Sequence, residues 1–279
     1  MFDKVIGHRG PKEILTNDIE NNKISHAYAF VGPIGTGKEK LADEFAKKLL
    51  QTEDLNLAID YKKIRKIEGK KNILVEQIRK DIVEDVYIHP AASSHKVYIV
   101  DEAEYLNEEA QNSLLKTLEE PPEYVCIILI TQNIQSFLPT IISRVKQVRF
   151  GNLSNDDIKE YCALNDIENN FNDNMLKYID GSIGKLVKLK KEEEYNLFKQ
   201  TEEIAENIKN KNELQVLKLL DKLSLKNSSI LDYLQYVLYI QNMYNELFLV
   251  EDIRNKVQYN ANEDILKTVF AINACRKEK

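Results

Sequence analysis

The residues best suited to chemistry lie in one stretch, His26-Ala27-Tyr28-Ala29-Phe30-Val31-Gly32-Pro33-Ile34-Gly35-Thr36-Gly37-Lys38-Glu39. An apolar run reaches a Gly-rich loop, and the loop opens onto a helical pattern, the strand–loop–helix context of a phosphate-binding P-loop. Gly35 and Gly37, on either side of Thr36, can take positive φ, so backbone N–H groups can converge on an anion at a helix N-terminus. Gly32 opens the loop, and Lys38 is placed to reach terminal phosphates. The next residue departs from the pattern G-x-x-x-x-G-K-[ST], whose hydroxyl holds magnesium. Here it is Glu39. A carboxylate about 4 Å from a phosphate is repelled by about 4 kcal/mol at an effective dielectric of about 20. A longer side chain also crowds an octahedral metal shell. The loop reads as a nucleotide site that has lost its metal handle.

Two further groups belong to the same chemistry. Lys96-Val97-Tyr98-Ile99-Val100-Asp101-Glu102 is a short apolar strand ending in two acids. In P-loop enzymes such a strand delivers one acid to magnesium and a second to the attacking water. A strand followed by an acidic helix start is the ordinary alternative. Val125–Ile130 is a continuous apolar run, as a central parallel strand requires. It ends in Thr131-Gln132-Asn133, where α/β folds place their ligands.

The elements that must carry these residues follow from periodicity. Residues 1–25 read as a polar helix with Ile14, Leu15, Ile19 and Ile24 at helical spacing. Strand His26–Val31 leads into the loop, and Leu41, Phe45 and Leu49 give the next helix its apolar face. Residues 52–72 are irregular and basic, with Lys62, Lys63, Arg65, Lys66, Lys70 and Lys71. A solvated edge strand through Ile64 and Ile67 is preferred there to a phosphate-tracking patch. Ile73–Val86 reads as a helix. Asn107 caps another, which Pro121-Pro122 ends. A last strand covers Gln147–Phe150. Gly151-Asn152-Leu153 marks a boundary, after which the chain is helical: Ser154–Leu164, Asn172–Ile179, Ile183–Leu189, then longer helices with apolar positions such as Leu214, Leu220, Leu231 and Leu238. The fold class expected is α/β with a parallel sheet in residues 1–152, a small helical lid in 153–190 and an all-α collar in 191–279.

Composition narrows the function. The chain has 279 residues, 43% hydrophobic and 30% charged, with a net charge of −6. That balance suits a soluble protein and argues against a surface built wholly for nucleic acid. No apolar run approaches the roughly 18 residues of a membrane span, and the first residues lack a signal peptide's apolar core. A cytoplasmic protein without membrane association is expected. Three separated cysteines and four histidines show no metal spacing, so neither zinc nor another bound metal is expected.

With these residues assembled, the chain resembles the clamp-loader branch of the AAA+ family. The resemblance rests on Ser25-His26-Ala27-Tyr28, Gly32–Lys38, Lys96–Ala103, the run Leu114-Leu115-Lys116-Thr117-Leu118-Glu119-Glu120-Pro121-Pro122, and Leu138–Arg144. It implies that Ser143-Arg144 belongs to the family's Ser-Arg-Cys element, with Val145 in place of the cysteine. Arg144 would then be an arginine finger acting in trans on a neighbouring subunit's ATP, a role preferred to an intramolecular salt bridge. The ATP-hydrolysing subunits carry Gly-Ser-x-Arg in the lid. Here the stretch is Gly181-Ser182-Ile183-Gly184-Lys185, with glycine where the arginine would be. The cysteine cluster of the zinc module is missing, and the collar is short for the family. The implied nucleotide residues are Gly32, Gly35, Thr36, Gly37, Lys38, Asp101, Glu102 and Thr131, a degenerate site at which ATP or ADP binding without hydrolysis stays open. Implied partners are ATPase subunits of tau/gamma type and a delta subunit, the sliding clamp indirectly, and primer–template DNA through the complex. Two alternatives remain: an active AAA+ ATPase in which Glu39 is tolerated, and an independent DNA-binding module, which the acidic balance disfavours.

Overall fold

Alternating apolar residues on five short strands fix the centre of the first unit. In the computed structural model, which describes residues 1–168 and 171–276, β1 (Ala27–Val31), β2 (Tyr61–Ile64), β3 (Lys96–Val100), β4 (Val125–Thr131) and β5 (Lys146–Arg149) form one sheet. Its order is β2-β3-β4-β1-β5, and every pairing is parallel. β4 is central and buried along its whole length, as its unbroken apolar run requires when both faces are covered.

Successive side chains point to opposite faces of the sheet. Tyr28, Phe30, Val97, Ile99, Ile128 and Ile130 pack on one side with Leu41, Phe45 and Leu49 of α2 (Lys38–Leu50) and Leu15 of α1 (Arg9–Glu20). Ala27, Ala29, Tyr98, Val100, Ile127 and Leu129 face the other layer. There they meet Leu114 and Leu118 of α4 (Glu108–Glu119) and Ile78 of α3 (Val75–Ile78). Asn107 caps α4 by accepting from the Ala110 amide at 2.9 Å, and two acids follow in its first turn, where the macrodipole favours them.

The structure differs from the periodicity reading in four places, the first being that only Arg9–Glu20 of the helix expected over residues 1–25 is helical. The expected helix over Ile73–Val86 is α-helical only across α3 and then widens into a π-type turn at Arg79–Val83. The wider turn still keeps Ile82 and Val86 in the core with Ile78. Ile67 lies beyond β2 and is 45% exposed, so the edge strand ends at Ile64. Leu214 is 73% exposed. Its helix buries Val216, Leu219 and Leu220 instead.

By internal packing the chain divides into two compact units, Met1–Asp166 with Gly181–Gly184, and Ile167–Asp180 with Lys185–Lys279. The first unit also holds α5 (Pro139–Ile142) and α6 (Asn155–Leu164), the latter capped by Ser154 in a reciprocal box with Asp157. The regular elements of the second are all helices among its described residues. After α7 (Asp173–Ile179) and α8 (Ile183–Leu189), which enters this unit at Lys185, come α9 (Glu192–Lys209), α10 (Glu213–Asp221), α11 (Ser228–Ile240), α12 (Tyr244–Gln258) and α13 (Glu263–Cys275). Its core contains an aromatic cluster in which Tyr178 stands 5.5 Å from Phe198 and 5.1 Å from Tyr233, ring to ring. Among the described residues no helix is long and apolar enough to cross a membrane.

Candidate functional site

The carboxyl ends of β1, β3 and β4 open onto one cavity of about 390 Å³, within the usual range for a small-molecule site. Its floor is Gly35, Thr36, Gly37 and Lys38, its acidic side is Asp101, Glu102 and Glu104, and Thr131 and Gln132 close the end of β4. Val5, Ile6, Tyr161 and Ile183 give an apolar wall. A crevice beyond the strand ends is where a doubly wound sheet places its ligand.

The loop is held by its own chain. Gly35 has a φ of +73° and its carbonyl accepts from the Gly184 amide at 3.0 Å. Ser182 Oγ donates to the Ile34 carbonyl at 3.0 Å. A Cβ on Gly184 would lie 3.0 Å from the Cα of Gly35, so position 184 is packed directly on the loop. From the other side, His8 Nε2 donates to the Thr36 carbonyl at 2.6 Å. Burial lowers the His8 pKa, although that carbonyl opposes the shift. Thr36 is buried and donates its hydroxyl to the Pro33 carbonyl at 3.0 Å.

Lys38 does not extend into the cavity as the motif suggests. Its ammonium donates to the carbonyls of Gly32 and Pro33 at 2.7 and 2.6 Å. Burial lowers its pKa against the charges of Glu104 and Asp101. Gly32 contributes that carbonyl and does not line the cavity.

Glu39 is also occupied, by the basic stretch that the sequence reads as a solvated edge strand. Lys63 Nζ stands 2.6 Å from Glu39 and 2.8 Å from Asp43. The Arg65 guanidinium donates to Glu39 as well and reaches Asp101 at 3.2 Å. Burial pulls the Glu39 pKa up, but the hydrogen bond and charge of Lys63, with Arg65, outweigh it and hold the carboxyl below its usual range. Asp101 is pushed up by burial and by Glu39, against Arg65 and Lys63. Glu102 takes a left-handed backbone with φ of +52° and is exposed. At such an angle a non-glycine side chain is uncommon, and strain of this kind clusters at ligand sites. Thr131 is buried, with its hydroxyl donating to the Asn133 carbonyl at 3.1 Å.

The structure thus gathers Gly35, Thr36, Gly37, Lys38, Asp101, Glu102 and Thr131 at one cavity. Ser143 and Arg144 are elsewhere, after α5. Arg144 donates to Glu119 at 2.8 Å, to the Thr140 carbonyl at 2.9 Å and to Ser143 Oγ at 3.2 Å. Ser143 in turn donates to the Thr140 carbonyl at 3.1 Å. His8, Lys63, Arg65 and Ser182 were not singled out as site residues. The basic run around Lys63 was the only signal for two of them, and it gives no indication of which acids it meets.

The family described as "DNA polymerase III, delta subunit" matches residues 7–154, just over half of the chain. The gamma subunit of DNA polymerase III from Buchnera aphidicola subsp. Schizaphis graminum is 32% identical over 196 residues, 64% of this chain and 53% of that protein. The tau subunit from Bacillus subtilis is 38% identical over 170 residues, 56% of this chain and 30% of that protein. The chain therefore spans from about half to under a third of the length of these relatives. A crystal structure of a DNA polymerase III gamma subunit-related protein from Thermotoga maritima shares the fold, with a TM-score of 0.56 at 19% identity, over 94% of this chain and 98% of that one.

Proposed function

The chain belongs to the DNA polymerase III delta-subunit family, and from that premise we propose that it is a delta-prime-type subunit of the clamp loader, one that hydrolyses no ATP itself and offers Arg144 to the ATP site of a neighbouring subunit. The observation that carries this reading is the state of the loop. Glu39 is tied to Lys63 and Arg65, and glycine instead of a γ-phosphate-sensing arginine sits at position 184, packed on Gly35. Two of the parts that hydrolysis needs are replaced.

The part offered to a neighbour is intact. Arg144 does not line its own chain's cavity, and its side chain is 33% exposed. Its ion pair with Glu119, itself 48% exposed, is of a kind worth about 0–1 kcal/mol. A γ-phosphate carries more charge than Glu119 and is a stronger acceptor than the Thr140 carbonyl and Ser143 Oγ that also hold the guanidinium. Ser143 supports the resting position through its contact with Arg144. The partners in this reading are tau/gamma-type ATPase subunits and a delta subunit. The sliding clamp and primer–template DNA are reached through the assembly, in the cytoplasm.

A nucleoside phosphate fits the cavity only in part. The loop from Gly35 to Lys38 would hold the phosphates and Thr131 would face them, once Lys38 has left the carbonyls of Gly32 and Pro33. Such a ligand would serve as a structural ADP or ATP and undergo no turnover.

The test is a reconstituted complex with Arg144→Ala. Assembly should persist while ATP hydrolysis by the adjacent subunit falls by about 10³-fold; an unchanged rate removes the finger role. A second reading, an active ATPase of gamma/tau type, is favoured by the names of the relatives and by Asp101 and Glu102 at the cavity. It requires ATP turnover by the isolated chain that Lys38→Ala abolishes.

A further inference from the structure

We infer that Arg65 occupies the position a magnesium ion would take in this fold, so that the cavity is closed to divalent metal by a cation built into the chain. The inference deepens the non-hydrolysing reading above but does not depend on Arg144 or on any partner subunit.

A P-loop site holds magnesium between two points, the hydroxyl after the loop lysine and an acid at the end of the following strand. Here those points are Glu39 and Asp101. Both are carboxylates, and one guanidinium spans them: Arg65 donates through Nη2 to Glu39 and reaches Asp101 Oδ2 through Nε at 3.2 Å. Sheet register explains the placement. β2 pairs with β3 so that Lys63 stands opposite Ile99 and Ile64 opposite Val100. The next residue on each strand, Arg65 and Asp101, then emerges side by side at the carboxyl edge. The Asp101 amide donates to the Ile64 carbonyl at 3.0 Å, which fixes that edge. Lys63, two positions earlier and within β2, supplies a second cation to Glu39 at 2.6 Å and to Asp43 at 2.8 Å.

Magnesium does not fit this donor set. It demands an octahedral shell of oxygens at about 2.0–2.1 Å, and the two carboxylates that would have to supply it are already bonded to nitrogen. A guanidinium stays charged at every working pH, and its planar fork suits two carboxylates at once. Because it is tethered, a free ion competes with it at the high effective concentration of an intramolecular partner. The basic run of residues 62–66 therefore neutralises the site internally. Lys62 pairs with Asp85 at 3.2 Å, and Lys66 lies over the Tyr105 ring at 3.8 Å. The four basic side chains of that run are thus engaged within the protein and do not form a free phosphate-tracking surface.

The decisive experiment is a Mn2+ titration of the full chain, followed by electron paramagnetic resonance, with Arg65→Gln, Arg65→Lys, Asp101→Asn and the double variant Arg65→Gln/Asp101→Asn. The wild type and Arg65→Lys should show no saturable Mn2+ binding below about 1 mM, the weak limit of protein sites for hard divalent ions. Arg65→Gln should gain a site at least about tenfold tighter, lost again when Asp101 is also replaced, because ligand charge sets the affinity. Wild-type binding that Asp101→Asn abolishes would overturn the inference without recourse to any Arg65 variant. A folded Arg65→Gln protein that gains no site would overturn it equally.

Discussion

Replacing Gly35 by alanine tests the most consequential packing in the first unit, the contact between the loop and residues 182–184. Gly35 holds φ of +73°, and a Cβ there would lie 2.3 Å from Ser182 Oγ and 3.0 Å from both the Cα and N of Gly184. The left-handed backbone costs an alanine about 1–2 kcal/mol, and forcing an extra carbon into a filled space costs about 1–3 kcal/mol more. The expected loss is about 2–5 kcal/mol in total. Gly37 supplies the control. Its φ is +100° but no atom lies within 4 Å of the added carbon, so Gly37→Ala should lose only the backbone part, about 1–2 kcal/mol. Calorimetric transitions of a unit of this size move by about 2–4 °C per kcal/mol. Gly35→Ala should therefore lower the transition by roughly 4–20 °C, and Gly37→Ala by roughly 2–8 °C. Ser182→Ala alone gives up the bond to the Ile34 carbonyl, worth about 0.5–1.5 kcal/mol, but it also removes the nearest atom from the new methyl group. Gly35→Ala/Ser182→Ala should consequently be more stable than the sum of the single losses by about 1 kcal/mol. Equal losses at positions 35 and 37, together with strict additivity in the double variant, would refute the contact as the reason for glycine at 35.

A pH effect is expected at Asp60, which accepts from the amides of Ala91, Ala92 and Ser93 at 2.7–2.9 Å and from the Ser93 hydroxyl at 2.9 Å. Burial raises its pKa, but those donors outweigh burial and hold it below the ordinary value; the stabilisation is thus fully present above the unfolded pKa of about 3.9 and lost as pH falls through the folded one. Urea midpoints of wild type and Asp60→Asn should differ at pH 7 by the equivalent of about 1–3 kcal/mol and converge as pH falls through the lowered folded pKa; a gap that stays constant on acidification would be the contrary result. Burial raises the thiol pKa of Cys126, Cys162 and Cys275, so a disulfide reagent at pH 8 should label none of them in the native protein and all three in urea. Rapid native labelling of Cys126, which is fully buried on the central strand, would contradict the sheet assignment.

Local rules made much of the first unit legible. The apolar run of Val125–Ile130 could only be a strand covered on both faces, and it is the middle strand. Asn107 caps its helix where expected, and the helices expected to begin at Ser154 and Asn172 are capped by those residues, because an N-cap acts over three residues and needs no tertiary context. What depended on distant pairing was not legible. Lys63 and Arg65 meet Glu39 across 24 and 26 residues, and the meeting follows from which strand lies beside β3. Ser182 meets Ile34 across 148. Leu214 looked like a core residue by type, yet its helix turns Val216 and Leu220 inward instead. The Arg144–Glu119 pair joins two stretches that were each prominent in the sequence, but nothing in their spacing linked them.

The substitution at Glu39 takes on a different meaning once its neighbours are in place. Taken alone, a carboxylate after the loop lysine is a pure loss: it repels phosphate and crowds the metal. Beside Lys63 and Arg65 its charge is neutralised, and repulsion of a ligand is no longer its main effect. Three acids, Glu39, Asp43 and Asp101, face two cations, Lys63 and Arg65. Removing Glu39 alone would leave Lys63 and Arg65 to the two remaining acids, and removing Arg65 alone would leave two carboxylates facing each other at the mouth of the cavity. The loss of Arg65 is therefore the costlier change, because loss of Glu39 still leaves Lys63 paired with Asp43 and Arg65 with Asp101. A loop locked in this way can keep the shape that the strand-to-helix turn demands without serving metal-dependent hydrolysis. Arg144 stands apart from that cluster, does not line the cavity, and is held by Glu119, the Thr140 carbonyl and Ser143 Oγ.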